Sequence, residues 1–142
     1  MFLGESQHSL DAKGRVILPV RFRGQIESGV FIAKGLDGCL WIMPPAAWDE
    51  LTQRLSQAPL SDPRARKLTR FLFGGASEDR PDRQGRISIP EPLRRHAGLE
   101  LESEVLVIGA RERIEIWSPE RYEAYQGASE STIEEDIAGL GT

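Results

Sequence analysis

The sequence predicts an α+β protein: two tandem β-rich units packed as a pseudo-twofold domain with flanking helices. Three observations carry that prediction. First, Asp11-Ala-Lys-Gly-Arg-Val-Ile-Leu-Pro19 returns 71 residues later as Asp82-Arg-Gln-Gly-Arg-Ile-Ser-Ile-Pro90. Second, each copy is followed by two short apolar runs around a Gly-containing turn, at 30–43 and 105–117. Third, each hairpin signal leads into a proline-started helical pattern, at Pro45 and Pro119.

The first motif reads as strand, tight turn, strand. Asp11 favours the start of a turn and Gly14 tolerates positive φ. Arg15 to Leu18 alternates as a half-buried strand does, and Pro19 ends its ladder because it lacks a donor. Pro19 to Arg23 has the makings of one helical turn with proline in first position, closed by Gly24. Val30-Phe-Ile-Ala33 and Cys39-Leu-Trp-Ile-Met43 flank Gly35-Leu-Asp-Gly38, a strong hairpin signal. In the helix from Pro45 to Leu55, Trp48, Leu51 and Leu55 form one apolar stripe. Asp62-Pro63 starts a further helix in which Arg64, Lys67 and Arg70 share a face, read as a solvated one.

The second copy repeats this order. The motif at 82–90 leads to a helical turn at 91–98, the strands Val105–Ile108 and Ile114–Trp117, and the helix Pro119–Tyr125. Gly35 then faces Gly109, Pro45 faces Pro119 and Trp48 faces Tyr122, an offset of 74 produced by an insertion near 99–104. The expected division is a first unit at 1–62, a connecting helix at 63–74, a second unit at 75–126 and an acidic tail at 127–142. Ser131 and Glu134 have capping-box spacing in that tail. So short a helix is marginal in water, and mobility is expected unless a neighbouring subunit holds it. A half of about 60 residues buries too little apolar surface alone, so the two are expected to pack through their sheets. Trp41, Trp48 and Trp117 are expected in the core.

Composition narrows the function. No apolar run is long enough to span a membrane, and one cysteine, Cys39, leaves no internal disulfide. Neither His8 nor His96 clusters with it as metal ligands would, so no metal or cofactor is expected, and the single thiol fits a reducing cytoplasm. Catalytic signatures are missing, no small-molecule substrate is indicated, and Cys39 reads as an inert buried thiol. Net charge is −4, but residues 1–98 carry 15 Lys and Arg against 11 Asp and Glu, whereas residues 99–142 carry 3 against 11. A basic patch acts locally on phosphates, so the average conceals it.

The motif loops concentrate those cations. Lys13, Arg15, Arg21 and Arg23 surround the first; Arg80, Arg83, Arg86, Arg94 and Arg95 surround the second. Arginine supplies a planar fork suited to phosphate oxygens and guanine edges, and Gly14 or Gly85 lets another backbone come close. Asp11 and Asp82 have two readings: an ion pair shaping its own turn, or a carboxylate holding a ligand-contacting arginine in one rotamer.

The quoted motifs, together with Met-Phe-Leu-Gly at the start, Pro19-Val-Arg-Phe-Arg23 and Leu93-Arg-Arg-His-Ala-Gly98, resemble the MraZ family over residues 1 to about 126. These are bacterial transcriptional regulators encoded at the start of the division and cell-wall gene cluster. The resemblance implies a swapped-hairpin, AbrB-like fold for each unit and binding of double-stranded DNA at direct repeats in the promoter of its own operon. It also implies a closed homo-oligomeric ring and a nucleoid-associated protein of the cytoplasm. The family's Asp-x-x-x-Arg motifs fall on Asp11 with Arg15 and Asp82 with Arg86, giving Asp11, Lys13, Gly14, Arg15, Asp82, Arg83, Gly85 and Arg86 as the DNA-binding set. In one respect the copies differ: Lys13 is answered by Gln84, and Ala12 by Arg83. Strand alternation would send that cation to the other face, so Lys13 and Arg15 are expected to lead in DNA contact, with the second loop touching backbone or serving the fold. The competing reading is an oligomeric protein–protein scaffold without direct DNA readout.

Overall fold

A computed structural model gives the fold of residues 1–141. The first half contains β1 (Glu5–Ser9), β2 (Arg15–Ile17), α1 (Val20–Arg23), β3 (Val30–Lys34), β4 (Leu40–Met43) and α2 (Pro45–Ser56). A linking helix, α3 (Pro63–Leu72), follows, capped by the Asp62 carboxylate on the Arg64 amide. The second half contains β5 (Ser77–Asp79), β6 (Arg86–Ser88), α4 (Glu91–Ala97), β7 (Glu104–Ala110), β8 (Arg113–Trp117) and α5 (Pro119–Ser129); α6 (Ile133–Gly139) ends the chain.

The halves exchange strands. One antiparallel sheet of six runs β1-β7-β8-β4-β3-β5, and β2 and β6 form a separate two-stranded ribbon. Thus β1 pairs with a strand of the second half and β5 with a strand of the first. Exchanging the halves turns the strand order into itself reversed, which is the pseudo-twofold. The motif hairpin expected around 11–14 therefore makes no ladder. The isolated bridge Leu10–Val16 and the Asp11 amide donating to the Arg15 carbonyl join its arms without a ladder, because β1 enters the large sheet while β2 pairs with β6.

Period-two alternation places the core. Val30, Ile32, Leu40, Ile42, Val105, Val107, Ile114 and Ile116 face inward and meet Val16, Leu18, Ile87 and Ile89 from the ribbon side. Phe22 of α1 and Leu93 and Ala97 of α4 close this core. The opposite face of the sheet is covered by helices. Trp48 of α2 stacks on Phe31 at 4.9 Å, and Trp117 meets Tyr122 of α5 at 5.1 Å.

Several local expectations need correction. Pro19 lies just before α1 rather than within it, and Gly24 keeps right-handed φ of −61°, so the chain turns onward to Ile26 instead of stopping there. Leu51 and Leu55 are only half-buried, leaving Trp48 as the buried residue of α2. Trp48 and Trp117 are buried as expected, but Trp41 is half-exposed, beneath the Arg113 guanidinium at 4.8 Å. In the tail, α5 runs through Gly127 to Ser129. The Ser131 hydroxyl donates to the Ala128 carbonyl and caps nothing, since α6 begins at Ile133 with Thr132 in the capping position and no side-chain cap. Among the described residues no helix is long and apolar enough to cross a membrane, and no group of three or more His, Cys, Asp or Glu is placed to hold a metal.

Candidate nucleic-acid interface

Both motif loops are built by one hydrogen-bond scheme. Asp11 Oδ1 accepts the amides of Lys13 and Arg15, each at 2.9 Å, and Oδ2 accepts Arg15 Nε at 2.8 Å. Asp82 Oδ1 accepts the amides of Gln84 and Arg86, each at 2.9 Å, and Oδ2 accepts Arg86 Nε at 2.7 Å. The backbone repeats as well: the Gly14 amide donates to the Asp11 carbonyl and the Gly85 amide to the Asp82 carbonyl. Donation by the arginine's own backbone amide, followed by its side chain, holds each carboxyl below the ordinary aspartate range. The two readings of the aspartates are thus one device, because the carboxylate that shapes the turn also fixes the guanidinium.

The fixed guanidiniums share one surface. In the ribbon Arg15 stands opposite Ser88, Val16 opposite Ile87 and Ile17 opposite Arg86. Opposed residues of an antiparallel pair point the same way, and i, i+2 neighbours do too. Val16 and Ile87 are buried, so Arg15, Ile17, Arg86 and Ser88 occupy the outer face. Arg15 and Arg86 are diagonal neighbours across the ribbon, about 7–8 Å apart in backbone position. Nε of each is taken by its aspartate. The side chains keep 29% and 27% of their exposure, and their terminal nitrogens have no partner among the described residues.

Gly14 and Gly85 are tied across the halves. The Ile89 amide donates to the Gly14 carbonyl at 2.8 Å, and the Leu18 amide to the Gly85 carbonyl at 3.0 Å. Both glycines have left-handed φ, +77° and +79°. A Cβ on Gly14 would overlap the Arg94 guanidinium, and one on Gly85 the Arg23 guanidinium. Glycine is therefore favoured twice over at each position, by the left-handed φ and by the guanidinium that a Cβ would displace.

The other cations divide sharply. Arg23 and Arg94 were grouped in the sequence with the ligand-seeking arginines, but they turn inward: Arg23 Nε donates to the Leu18 carbonyl at 3.3 Å and Arg94 Nη1 to the Ile89 carbonyl at 2.6 Å. Sequence reasoning missed this structural role, although both recur at the same offset as the motif. Arg21 lies over the Phe22 ring, and Arg95 is paired with Glu91. Lys13 and Arg83 are exposed and their side chains have no partner among the described residues. Both sit in the turns, not in strands, so alternation does not separate their faces. The Asp–Arg hydrogen-bond scheme is the same in both loops, and the copies differ in which turn position bears the extra cation. The Arg64, Lys67 and Arg70 face of α3 is exposed.

Reactive groups elsewhere are quiet. Cys39 is fully buried, its thiol pushed up to about 12 chiefly by burial, and it donates to the Leu36 carbonyl. His96 is bound to the Gly35 carbonyl at 3.1 Å and packs on Phe71.

The fold and this site define a class: a tandem, strand-exchanged β unit carrying a pseudo-twofold arginine ribbon. Comparison with known proteins specifies it further. The model of the family described as "MraZ protein, putative antitoxin-like" matches residues 1–71 and again 72–139. The chain is 42% identical over 140 residues to a protein of Halothermothrix orenii, covering 99% of this chain and 96% of that protein. It is 44% identical over 144 residues to one of Acetivibrio thermocellus, covering 99% of each, and 45% identical over 135 residues to one of Pelotomaculum thermopropionicum, covering 95% and 92%. All three relatives bear the name Transcriptional regulator MraZ. The chain belongs to the MraZ family, whose named role is transcriptional regulation and not catalysis.

Proposed function

We propose that this protein is a transcriptional regulator that binds double-stranded DNA through the outer face of the β2–β6 ribbon. The observation that carries the reading is the pair Arg15 and Arg86, each locked by its own aspartate and left with free terminal nitrogens on that face. A two-stranded ribbon is one of the shapes the major groove admits, and a guanidinium edge matches guanine O6 and N7. The pseudo-twofold offers two such readers to neighbouring base pairs, with Lys13 and Arg83 flanking them for phosphates. Asp11, Gly14, Asp82 and Gly85 complete the set by holding the loops. The net charge of −4 does not oppose this, because the acidic excess lies beyond residue 98.

The proposal extends to finer features, which the resemblance implies and which the family name alone does not carry. The DNA is the promoter of the protein's own division and cell-wall gene cluster, the target is a set of direct repeats, and the protein acts as a ring-shaped homo-oligomer within the nucleoid. Rigidly linked weak sites raise one another's effective concentration, so modest contacts per ribbon suffice.

Fluorescence anisotropy with a labelled duplex from upstream of the gene tests this. Arg15→Ala and Arg86→Ala should each weaken binding roughly 5- to 150-fold, the range expected for loss of a bidentate contact. Affinity should fall steeply with salt. Parent-like binding by both variants, or a flat salt response, overturns the reading and favours a scaffold that meets acidic protein surfaces.

A further inference from the structure

We propose that Arg23 and Arg94 are positioning residues, each of which sets the reading loop of the opposite half. The proposal rests on the loops being the DNA-contacting elements, but its geometry stands independently.

Two matching relays cross the pseudo-axis. Arg94 of α4 donates through Nη1 to the Ile89 carbonyl at 2.6 Å, the Ile89 amide donates to the Gly14 carbonyl at 2.8 Å, and the same guanidinium lies against the Gly14 Cα, where a Cβ would overlap it. Arg23 of α1 donates through Nε to the Leu18 carbonyl at 3.3 Å, the Leu18 amide donates to the Gly85 carbonyl at 3.0 Å, and the guanidinium lies against Gly85. Each arginine therefore anchors the residue that directly follows the ribbon strand of its own half and lies against the loop of the other half.

Chemistry favours a specific role over mere coverage. Both arginines are half-buried, and neither has a carboxylate partner among the described residues. A guanidinium in that position finds its compensation in a carbonyl and lies close against a glycine, where a bulkier loop residue would displace it. Leu18 and Ile89 are fully buried at the ribbon's ends, so their carbonyls have little water to fall back on. The Arg94 bond is the shorter, and the loop at 11–15 should be the more sensitive.

The prediction is a crossed pattern. Removing Arg94 disturbs Lys13, Gly14 and Arg15 in the first half and spares Gln84, Gly85 and Arg86 in its own; removing Arg23 does the reverse. Arg94→Met and Arg23→Met keep the apolar stems and so preserve the core contacts, while Arg94→Lys keeps a donor.

Amide spectra of the full chain read the pattern directly. In Arg94→Met the amide shifts of 13–15 should move, those of 84–86 should not, and exchange of the Ile89 amide should quicken about 2- to 10-fold. Arg94→Lys should recover part of the parent pattern. In the DNA assay the loss from Arg94→Met should overlap that from Arg15→Ala and add to that from Arg86→Ala. Disturbance of the loop in the same half, or of both loops alike, overturns the proposal; so does failure of both methionine variants to fold, which would make the arginines general structural supports. If the crossed spectra appear while Arg15→Ala and Arg86→Ala bind DNA as the parent does, the latch stands and the DNA reading falls.

Discussion

Gly14→Ala should destabilise the protein far more than its one added methyl suggests. Gly14 has φ of +77°, in the left-handed region, where an L-residue costs about 1–2 kcal/mol. Its Cβ would also overlap Arg94 Nη1 and come within 3.2 Å of the Ile89 carbonyl oxygen. Arg94 must then swing away and surrender its bond to Ile89, a loss of about 0.5–1.5 kcal/mol. The expected total is roughly 1.5–3.5 kcal/mol, or about 5–12 °C in Tm for a chain of this size. Gly85→Ala should behave alike, since φ is +79° and Arg23 occupies the corresponding space. Gly24→Ala is the control: φ is −61° and nothing lies within 4 Å, so it should be neutral or stabilise by about 0.4–1 kcal/mol. Urea unfolding followed by circular dichroism checks all three. A Gly14→Ala protein within about 0.5 kcal/mol of the parent would refute the reasoning, since that is the scale of an ordinary surface substitution.

Two more outcomes follow from the electrostatics, and one from the cations. Cys39, buried and with its thiol at about 12, should resist iodoacetamide at pH 8 in the native protein and react on addition of denaturant; rapid native labelling would contradict its burial. The carboxyls of Asp11 and Asp82 lie below the ordinary 3.8, so their support of the loops is present above that pH and is lost only as pH falls through the lowered values. The amide shifts of Lys13, Arg15, Gln84 and Arg86 should hold steady from pH 7 down to that range; a transition above pH 5 would count against the carboxylate contacts. Lys13→Ala and Arg83→Ala should each lower the salt slope of DNA binding by about one and leave sequence preference intact, which a salt titration on two duplexes would measure.

Much of the architecture was legible because duplication writes it twice. The motif, both Gly-turn hairpins and the proline-started helices were visible as spacing and punctuation, and Asp62 before Pro63 announced α3. Strand partners were not legible. Alternation in Arg15–Leu18 says which side chains point inward, but a buried Val16 is equally satisfied by any apolar strand, and Ile87 of the other half is the one it meets. The positions of the cations had the same limit. Lys13 and Arg94 both look like solvent-exposed charge in a polar stretch, yet one is free and the other holds a carbonyl beside a glycine. The available signal was the recurrence of Phe22-Arg23 as Leu93-Arg94 at the motif's own offset: an apolar anchor followed by an arginine, kept in both copies.

Strand exchange also decides whether a half can exist alone. In a fragment of residues 1–71, β1 would lose β7, β2 would lose β6, and β3 would keep β4 but lose β5. The inner face of β3 and β4 would be left without the ribbon residues Ile87 and Ile89 and without Leu93. A single copy in the observed arrangement does not repair this, because there β1 lies in the exchanged position, away from the place of β5 on its own β3. Two copies can. Under the pseudo-twofold β5 is the counterpart of β1, and β7 of β3, so the β1 of each fragment would pair with the β3 of the other, and the two β2 strands would form the ribbon. The fragment should therefore be unfolded at low concentration and fold only as a dimer, with a Tm that rises with concentration. Analytical ultracentrifugation with circular dichroism across a hundredfold concentration range decides it. A folded monomeric fragment would mean that the contacts within one half outweigh the exchanged ones, and the two motif loops would then be joined by linkage alone and not by a shared core.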